Sequence, residues 1–197
     1  MEKRPKTEKR NILIGVTGSV AAIKVGEFIE RLRDASLRNA FEIDLKVVAT
    51  NSAKSLFTSS AVDSMVECED EFREWNRIGD DILHISLRQW ADLYIILPLT
   101  ANTLGKLSNG LCDNILTNIA RAWDFKKPII VCPAMNNFMW EHPITLRQIE
   151  TIQSFGYKVV LPIQKKLACG EFGMGGMQEI DRIVEIVIFE LSKSQHM

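Results

Sequence analysis

Five short apolar runs, separated by longer segments with helical spacing, most constrain the fold of this chain of 197 residues. The runs are rich in β-branched residues, are short enough to be strands, and cover residues 12–16, 45–49, 93–97, 129–132 and 159–161. Helices are predicted over residues 20–33, 101–123, 143–155 and 179–191. Because each return to a parallel strand needs a crossover, this alternation predicts the α/β class, with a doubly wound parallel sheet in a single domain.

The two ends of the chain differ from this pattern. Residues 1–10 are rich in both signs of charge and predict a flexible arm without a secretory signal, because no apolar run follows a basic head. Residues 11–191 are predicted to form the domain, and residues 192–197 a frayed tail. Residues 53–81 show no clear period, so their structure is left open.

The predicted helix over residues 101–123 carries two apolar stripes. One contains residues 104, 107, 111, 115 and 119, and the other contains residues 112, 116, 120 and 123. One stripe can face the sheet; the other can face a neighbouring subunit, or the helix can lie deep within one domain. Cys112 and Cys132 lie in apolar patterns and are interpreted as small core residues.

Charge and composition exclude several classes of function. The chain has 24 basic and 25 acidic side chains, a net charge of −1, which argues against a nucleic-acid partner. Its apolar runs are far shorter than the roughly 18 residues of a membrane span. Four scattered cysteines and three unclustered histidines predict no metal site, no disulfide scaffold and a reducing, cytoplasmic location.

Small and uncharged residues follow four of the predicted strands. In doubly wound sheets, ligands bind beyond the carboxyl ends of the strands, where such loops enter helices. Glycine, hydroxyl and amide groups beside helix N-termini suit a phosphate, although the same residues also cap helices. The four loops together predict a phosphorylated ligand, and their residues are Thr17, Gly18, Ser19 and Val20; Thr50, Asn51 and Ser52; Thr100, Ala101, Asn102 and Thr103; and Ala134, Met135, Asn136 and Asn137.

The glycine spacing narrows the class of ligand. Gly15 and Gly18 do not match G-x-G-x-x-G, and Gly105-Lys106 is not part of a Walker A loop. A mononucleotide such as a flavin is therefore favoured over NAD or ATP.

Two side chains with reactive groups are candidates for chemistry. Cys169 lies in a glycine-dense segment that could form a mobile lid, with lysines nearby to favour a thiolate, or it could be a silent loop cysteine. His84 lies among apolar neighbours and is either an acid–base group or a packed, hydrogen-bonded histidine.

Three longer motifs occur in a distinctive order: GSVAAIK at residues 18–24, PAMNNFMW at 133–140 and LACG at 167–170. Together they resemble the homo-oligomeric flavin-containing cysteine decarboxylases, in the branch that serves coenzyme A biosynthesis. The resemblance runs from about residue 11 to about residue 190.

This resemblance implies a flavodoxin-like (Rossmann-type) subunit of a homotrimer that binds FMN at the subunit boundary. It implies decarboxylation of 4′-phospho-N-pantothenoylcysteine to 4′-phosphopantetheine through thioaldehyde and enethiol intermediates. The residues implied to bind FMN are Gly18, Ser19, Val20, Thr50, Asn51, Ser52, Thr100, Ala101, Asn102, Thr103 and Ala134.

The resemblance also implies roles around the substrate. His84 is implied to act in the oxidative half-reaction, Asn136 to hold the substrate carboxylate, and Cys169 to return a proton. Met139, Lys24 and Arg88 are further candidates for substrate binding. The chain departs from the family pattern at Gln89, where a second arginine is common, and at Glu171, where aspartate is common. The resemblance therefore leaves undecided which residues contact the substrate phosphate.

Two alternatives follow from the same resemblance. Some relatives decarboxylate the C-terminal cysteine of a peptide, and some fungal relatives with acidic tails regulate a phosphatase. His84, Asn136 and Cys169 occur together here and residues 192–197 are not acidic, which favours the enzyme.

Overall fold

The computed structural model describes residues 8–56, 65–67, 77–166 and 170–193, the second of these ranges by its backbone alone. The strands are β1 (Glu8–Val16), β2 (Phe41–Ala49), β3 (Met65–Glu67), β4 (Leu93–Leu99), β5 (Ile129–Pro133), β6 (Lys158–Val159), β7 (Ile163–Lys166) and β8 (Phe172–Gly176). The helices are α1 (Val25–Arg38), α2 (Leu83–Trp90), α3 (Ala101–Asn109), α4 (Ile115–Arg121), α5 (Asn137–Glu141), α6 (Pro143–Ser154) and α7 (Ile180–Lys193). Two short 3-10 helices cover Val20–Lys24 and Asn51–Ala53.

The central sheet has the order β3-β2-β1-β4-β5-β6, and every pairing within it is parallel. If the three-residue edge strand β3 is left out, this is the flavodoxin-like order. In it, β2 is added on one side of β1 and the later strands β4, β5 and β6 are added on the other side, so the order of strands reverses between β1 and β4. The predicted doubly wound parallel sheet is therefore confirmed. Strands β7 and β8 form a separate antiparallel hairpin.

The strands of the sheet are buried on both faces, because an apolar layer covers each face. Ile12 and Ile14 of β1 pack in one layer with side chains of α1 and α7, while Leu13 packs in the other with side chains of α2, α3, α4 and α6. All seven residues of β4 are buried. The alternation of Ile12, Leu13 and Ile14 between the layers follows from the two-residue period of a strand.

The prediction of one helix over residues 101–123 is wrong. Helix α3 ends at Asn109, followed by Gly110 in the left-handed conformation at φ +71°, and α4 begins after Asn114, which caps it in a capping box with Thr117. Leu111 and Cys112 lie in the loop between the helices and are exposed, so the core assignment of Cys112 is also wrong.

The other residues of those two apolar stripes lie within this chain's own core. Leu104, Leu116 and Trp123 are buried in one layer, which is the arrangement of helices deep in one domain. Cys132 is buried in the opposite layer, as predicted, and burial raises the pKa of its thiol.

The two chain ends are more ordered than predicted over a few residues. Strand β1 begins at Glu8, and residues 8–10 of the predicted arm pair with residues 41–43 of β2. Helix α7 continues through Lys193, two residues into the predicted tail. Residues 1–7 and 194–197 lie outside the described residues, as does most of the segment over 53–81.

Among the described residues, no helix has both the length and the apolar character that a membrane span needs.

Candidate functional site

A cleft of about 640 Å³ lies at the carboxyl ends of β1, β2, β4 and β5. Ten of the eleven residues predicted to bind the cofactor line it, namely Gly18, Ser19, Thr50, Asn51, Ser52, Thr100, Ala101, Asn102, Thr103 and Ala134. The eleventh, Val20, lines an adjoining pocket of about 380 Å³. The four polar loops therefore meet at one place, because parallel strands end at the same edge of a sheet.

Gly18 lets the first two loops approach each other closely. A Cβ atom on Gly18 would lie 2.3 Å from Oγ and 2.5 Å from Cβ of Ser52. These distances are shorter than van der Waals contact, so any side chain at position 18 would push the loops apart. The close approach of the two loops therefore requires glycine at position 18.

Thr17 ties the first loop to the third. Its hydroxyl is buried, donates a hydrogen bond to the carbonyl oxygen of Pro98 at 2.7 Å, and accepts one from the Thr100 N–H at 3.0 Å. The backbone adds further links, since the Thr50 N–H donates to Val16 and the Ala134 N–H donates to Leu99. The cleft is thus built from loops held by a continuous hydrogen-bond network.

Replacing Thr17 by valine is expected to destabilise the fold by about 2–4 kcal/mol, because the Thr100 N–H and the Pro98 carbonyl would both lose their partner in a buried site. Urea unfolding of the purified protein measures this loss. Thr17→Ser keeps the hydroxyl and should lose less than half as much. Equal stability of the valine variant and the wild type would contradict this account.

Several cleft residues also cap helices, as the alternative interpretation predicted. The Thr100 hydroxyl accepts a hydrogen bond from the Thr103 N–H at 3.3 Å, and the Ser19 hydroxyl accepts one from the Ala21 N–H at 3.4 Å. Thr50 and Ser52 pair with each other through their hydroxyls at 3.1 Å. Capping orients these side chains at the rim of the cleft, and it does not exclude contact with a ligand.

Two lining residues were missed by the sequence reasoning, namely Lys106 and Asn114. Lys106 lies one helical turn after Asn102, a spacing that could have placed it on the same face of α3. Its ammonium group contacts Asp113 at 2.7 Å, and this pairing lowers the pKa of the Asp113 carboxyl. Lys106 therefore adds a cation to an otherwise uncharged cleft.

The adjoining pocket contains the predicted substrate residues Asn136 and Lys24. Asn136 precedes α5, and its side-chain oxygen accepts a hydrogen bond from the Phe138 N–H at 2.9 Å. Met139, one turn later, lines the first cleft and is 49% exposed. Because the two pockets share Ser19, Ala134 and Met135, a ligand in one can contact a ligand in the other.

The β7–β8 hairpin forms a wall of this adjoining pocket. The Met135 N–H donates a hydrogen bond to Gly175 at 3.0 Å. Gly175 has φ +113°, and a Cβ atom on it would lie 2.4 Å from the Met135 carbonyl oxygen. Glycine at this position is required both by its backbone conformation and by this close approach.

Two of the remaining predicted residues lie outside these pockets. His84 and Arg88 lie on α2 and line neither pocket. The buried Nε of Arg88 has no hydrogen-bond partner within the described ranges. Cys169 lies outside the described residues, between Lys166 of β7 and Gly170.

The first cleft suits a phosphorylated flavin. None of its lining residues in the described part of the chain carries a carboxylate, and the hydroxyls, amides and Lys106 can donate hydrogen bonds to phosphate and ring oxygens. Gly18 leaves backbone accessible, while Ala134, Met135 and Met139 offer apolar surface to a ring.

Comparisons with known proteins agree with this chemistry. Residues 1–192 match the protein family described as Flavoprotein. The mouse phosphopantothenoylcysteine decarboxylase is 44% identical over 191 residues, which cover 96% of this chain and 91% of the mouse protein. The phosphopantothenoylcysteine decarboxylase of Arabidopsis thaliana is 42% identical over 190 residues, which cover 95% of this chain and 88% of that protein.

Solved structures show the same likeness. A cysteine-to-serine mutant of PPC decarboxylase, complexed with pantothenoylaminoethenethiol, has a TM-score of 0.84 and 41% identity over 91% of this chain and 97% of its own. The FMN binding protein AtHal3 has a TM-score of 0.79 and 42% identity over 90% of this chain and 94% of its own.

Proposed function

Because the chain belongs to the Flavoprotein family and within it to the phosphopantothenoylcysteine decarboxylases, we propose that it removes CO2 from 4′-phospho-N-pantothenoylcysteine to give 4′-phosphopantetheine. It is a carboxy-lyase of coenzyme A biosynthesis that uses FMN. The observation that carries this proposal is the meeting of four polar loops in one cleft, directly beside the pocket that contains Asn136.

The loops around Gly18, Asn51, Asn102 and Ala134 would hold FMN in the first cleft, where it would supply a redox couple that can take up and later return a hydride. This chemistry is needed because direct loss of CO2 from a cysteine carboxylate would leave an unstabilised carbanion. Oxidation of the substrate to a thioaldehyde gives an adjacent C=S group that can take up the electron pair. The enethiol that results is then reduced to the product thiol.

The chain's own residues bind the substrate and transfer its protons. Asn136 donates a hydrogen bond from its amide to the substrate carboxylate, and it does so without the positive charge that would stabilise this anion against leaving as neutral CO2. Met139 lines the first cleft, next to the pocket that contains Asn136. His84 Nε2 or Nδ1 takes up the thiol proton in the oxidative half-reaction, and Cys169 Sγ returns a proton to the enethiol carbon.

The proposed assembly is a homotrimer whose active sites lie between subunits. His84 and Arg88 lie on α2 and line neither pocket of their own chain, so a neighbouring subunit would bring them to the substrate.

Two inactive variants should restore activity when mixed if the sites are shared between subunits. In a one-to-one mixture of His84→Asn and Asn136→Asp chains, reassembled from dissociated subunits, about a quarter of the sites would combine an intact His84 with an intact Asn136. Activity should therefore recover to about a quarter of the wild-type value. Each variant incubated alone serves as the control. No recovery in verified mixed trimers would overturn the shared site.

Anaerobic incubation of the purified protein with 4′-phospho-N-pantothenoylcysteine tests the function. The flavin absorbance should reveal bound FMN, and the product mass should fall by one CO2. A flavin-containing protein that leaves this substrate untouched but decarboxylates a peptide with a C-terminal cysteine would instead support the peptide alternative. A protein without flavin and without activity would contradict an enzymatic role and support the phosphatase-regulating alternative.

We also propose a cytoplasmic location. Cys112 is a free and exposed thiol, and Cys132 is a free thiol in the core. Free thiols persist in a reducing compartment such as the cytoplasm. Fractionation of cells that produce the protein would test this, and its recovery with membranes or in an oxidising compartment would contradict it.

A further inference from the structure

Three lysines line the pocket that contains Asn136, and two of them contact one carboxylate. Lys24, Lys165 and Lys166 line this pocket and come from two separate parts of the fold, the 3-10 helix after β1 and strand β7. Glu179 lies 3.3 Å from the Lys165 ammonium and 3.9 Å from the Lys24 ammonium. Three positive charges against one negative charge leave this end of the pocket cationic.

Lys165 is held in place by the protein itself. Its ammonium group donates to the Met177 carbonyl oxygen as well as to Glu179, and its side chain packs so closely on Gly176 that a Cβ atom there would lie 2.6 Å away. An ammonium group has three donors, so one remains for a ligand. A lysine fixed in this way loses little side-chain entropy when it binds an anion.

Apolar side chains lie next to these lysines. Val20 and Ile23 line the same pocket and are 50% and 66% exposed. The proposed substrate has a matching end, since its phosphate ester is attached to a CH2 group that is bonded to a carbon with two methyl groups. Lysines that lie beside Val20 and Ile23 can bind an anion that is attached directly to an apolar group.

We infer that Lys24, Lys165 and Lys166 bind the phosphate of the substrate and so make the enzyme selective for phosphorylated over unphosphorylated N-pantothenoylcysteine. This inference rests on the proposed function and adds the residues that determine its specificity. Asn136 lies in the same pocket, so the substrate would extend from its carboxylate at Asn136 to its phosphate at the lysines. Glu179 holds the two ammonium groups near each other and competes with the phosphate for them.

The test compares kcat/KM for phosphorylated and unphosphorylated N-pantothenoylcysteine in single variants. Lys165→Met and Lys166→Met should each lower the value for the phosphorylated substrate by about tenfold to a hundredfold, because each loses a charge-assisted hydrogen bond. The value for the unphosphorylated substrate should change by less than about twofold. Lys126→Met is the matched control, because Lys126 is an exposed lysine outside the pocket and should change neither value.

Glu179→Gln provides a change in the opposite direction. It removes the competing negative charge and should raise kcat/KM for the phosphorylated substrate by about twofold to fivefold, without changing the value for the unphosphorylated one. A purely structural role for these residues would not produce a gain restricted to one substrate. This variant also keeps the inference testable if Lys165→Met fails to fold.

Three results would overturn the inference. The first is a lysine variant series that keeps the wild-type preference for the phosphorylated substrate. The second is loss of that preference in Arg88→Met alone, which would place the phosphate at α2. The third is loss of bound FMN, measured by absorbance, in the lysine variants, which would assign these lysines to the cofactor. If the wild type itself turns over neither substrate, the proposed function fails, and this is distinguishable from failure of the inference.

Discussion

Replacing Gly18 by alanine is expected to yield a folded protein that no longer retains FMN through purification. The new Cβ atom would lie 2.3 Å from the Ser52 hydroxyl and 2.5 Å from the Ser52 Cβ atom, so the first two loops of the cleft would have to separate. Overpacking of this kind costs about 1–3 kcal/mol. Expressed as lost binding, this cost weakens FMN affinity by up to roughly a hundredfold.

Titration of the apoprotein with FMN, followed by flavin fluorescence, measures this effect. The double variant Gly18→Ala and Ser52→Gly removes the two nearest atoms and should recover part of the affinity. Gly105→Ala is the matched control, because its Cβ atom would meet its nearest neighbour, Nε2 of Gln148, at 3.4 Å, an ordinary contact. Unchanged FMN affinity in Gly18→Ala would contradict the placement of the cofactor in this cleft.

Replacing Asn136 by aspartate is expected to lower kcat/KM by about a thousandfold while FMN remains bound. The new side chain keeps the oxygen that accepts the Phe138 N–H, so the cap of α5 is retained. It also places a negative charge against the substrate carboxylate. Two such charges about 4 Å apart repel by about 4 kcal/mol at the effective dielectric constant of a protein surface.

Asn136→Ser separates charge repulsion from loss of the amide. Serine can still cap α5 but has neither the amide donor nor a charge, so its kcat/KM should lie between those of the wild type and the aspartate variant. Steady-state kinetics with the phosphorylated substrate, together with flavin content, measures all three. Equal losses in the serine and aspartate variants would show that repulsion is not the cause, and a loss below tenfold in the aspartate variant would place the carboxylate elsewhere.

The sheet and the cleft could be predicted from local patterns. Runs such as residues 93–97 are continuously apolar, which requires burial on both faces, and this in turn requires helices as crossovers. Once the strands are parallel, the residues after Val16, Ala49 and Leu99 must lie at one edge of the sheet. That is why short polar loops far apart in the chain were correctly predicted to meet.

The end of α3 was missed even though its signals are local. Gly110 and Asn114 are a C-terminal glycine and an N-cap, but the apolar spacing continues across them and predicts one helix. Periodicity alone cannot tell one long helix from two short helices that bury the same side chains. The capping residues end one helix and begin the next, because they satisfy the free backbone groups at these two helix ends.

The layered α/β architecture and the polar edge that forms the cleft can be derived from the amino-acid sequence, because both follow from short-range periodicity and strand direction. Only the tertiary structure placed Lys24 and Lys165 beside Glu179 and His84 outside the pocket that contains Asn136. These relations depend on how the β7–β8 hairpin packs against α5 and how α2 packs against α4. Contacts between segments so far apart in the chain are set by packing of the whole domain, and no local pattern of residues specifies them.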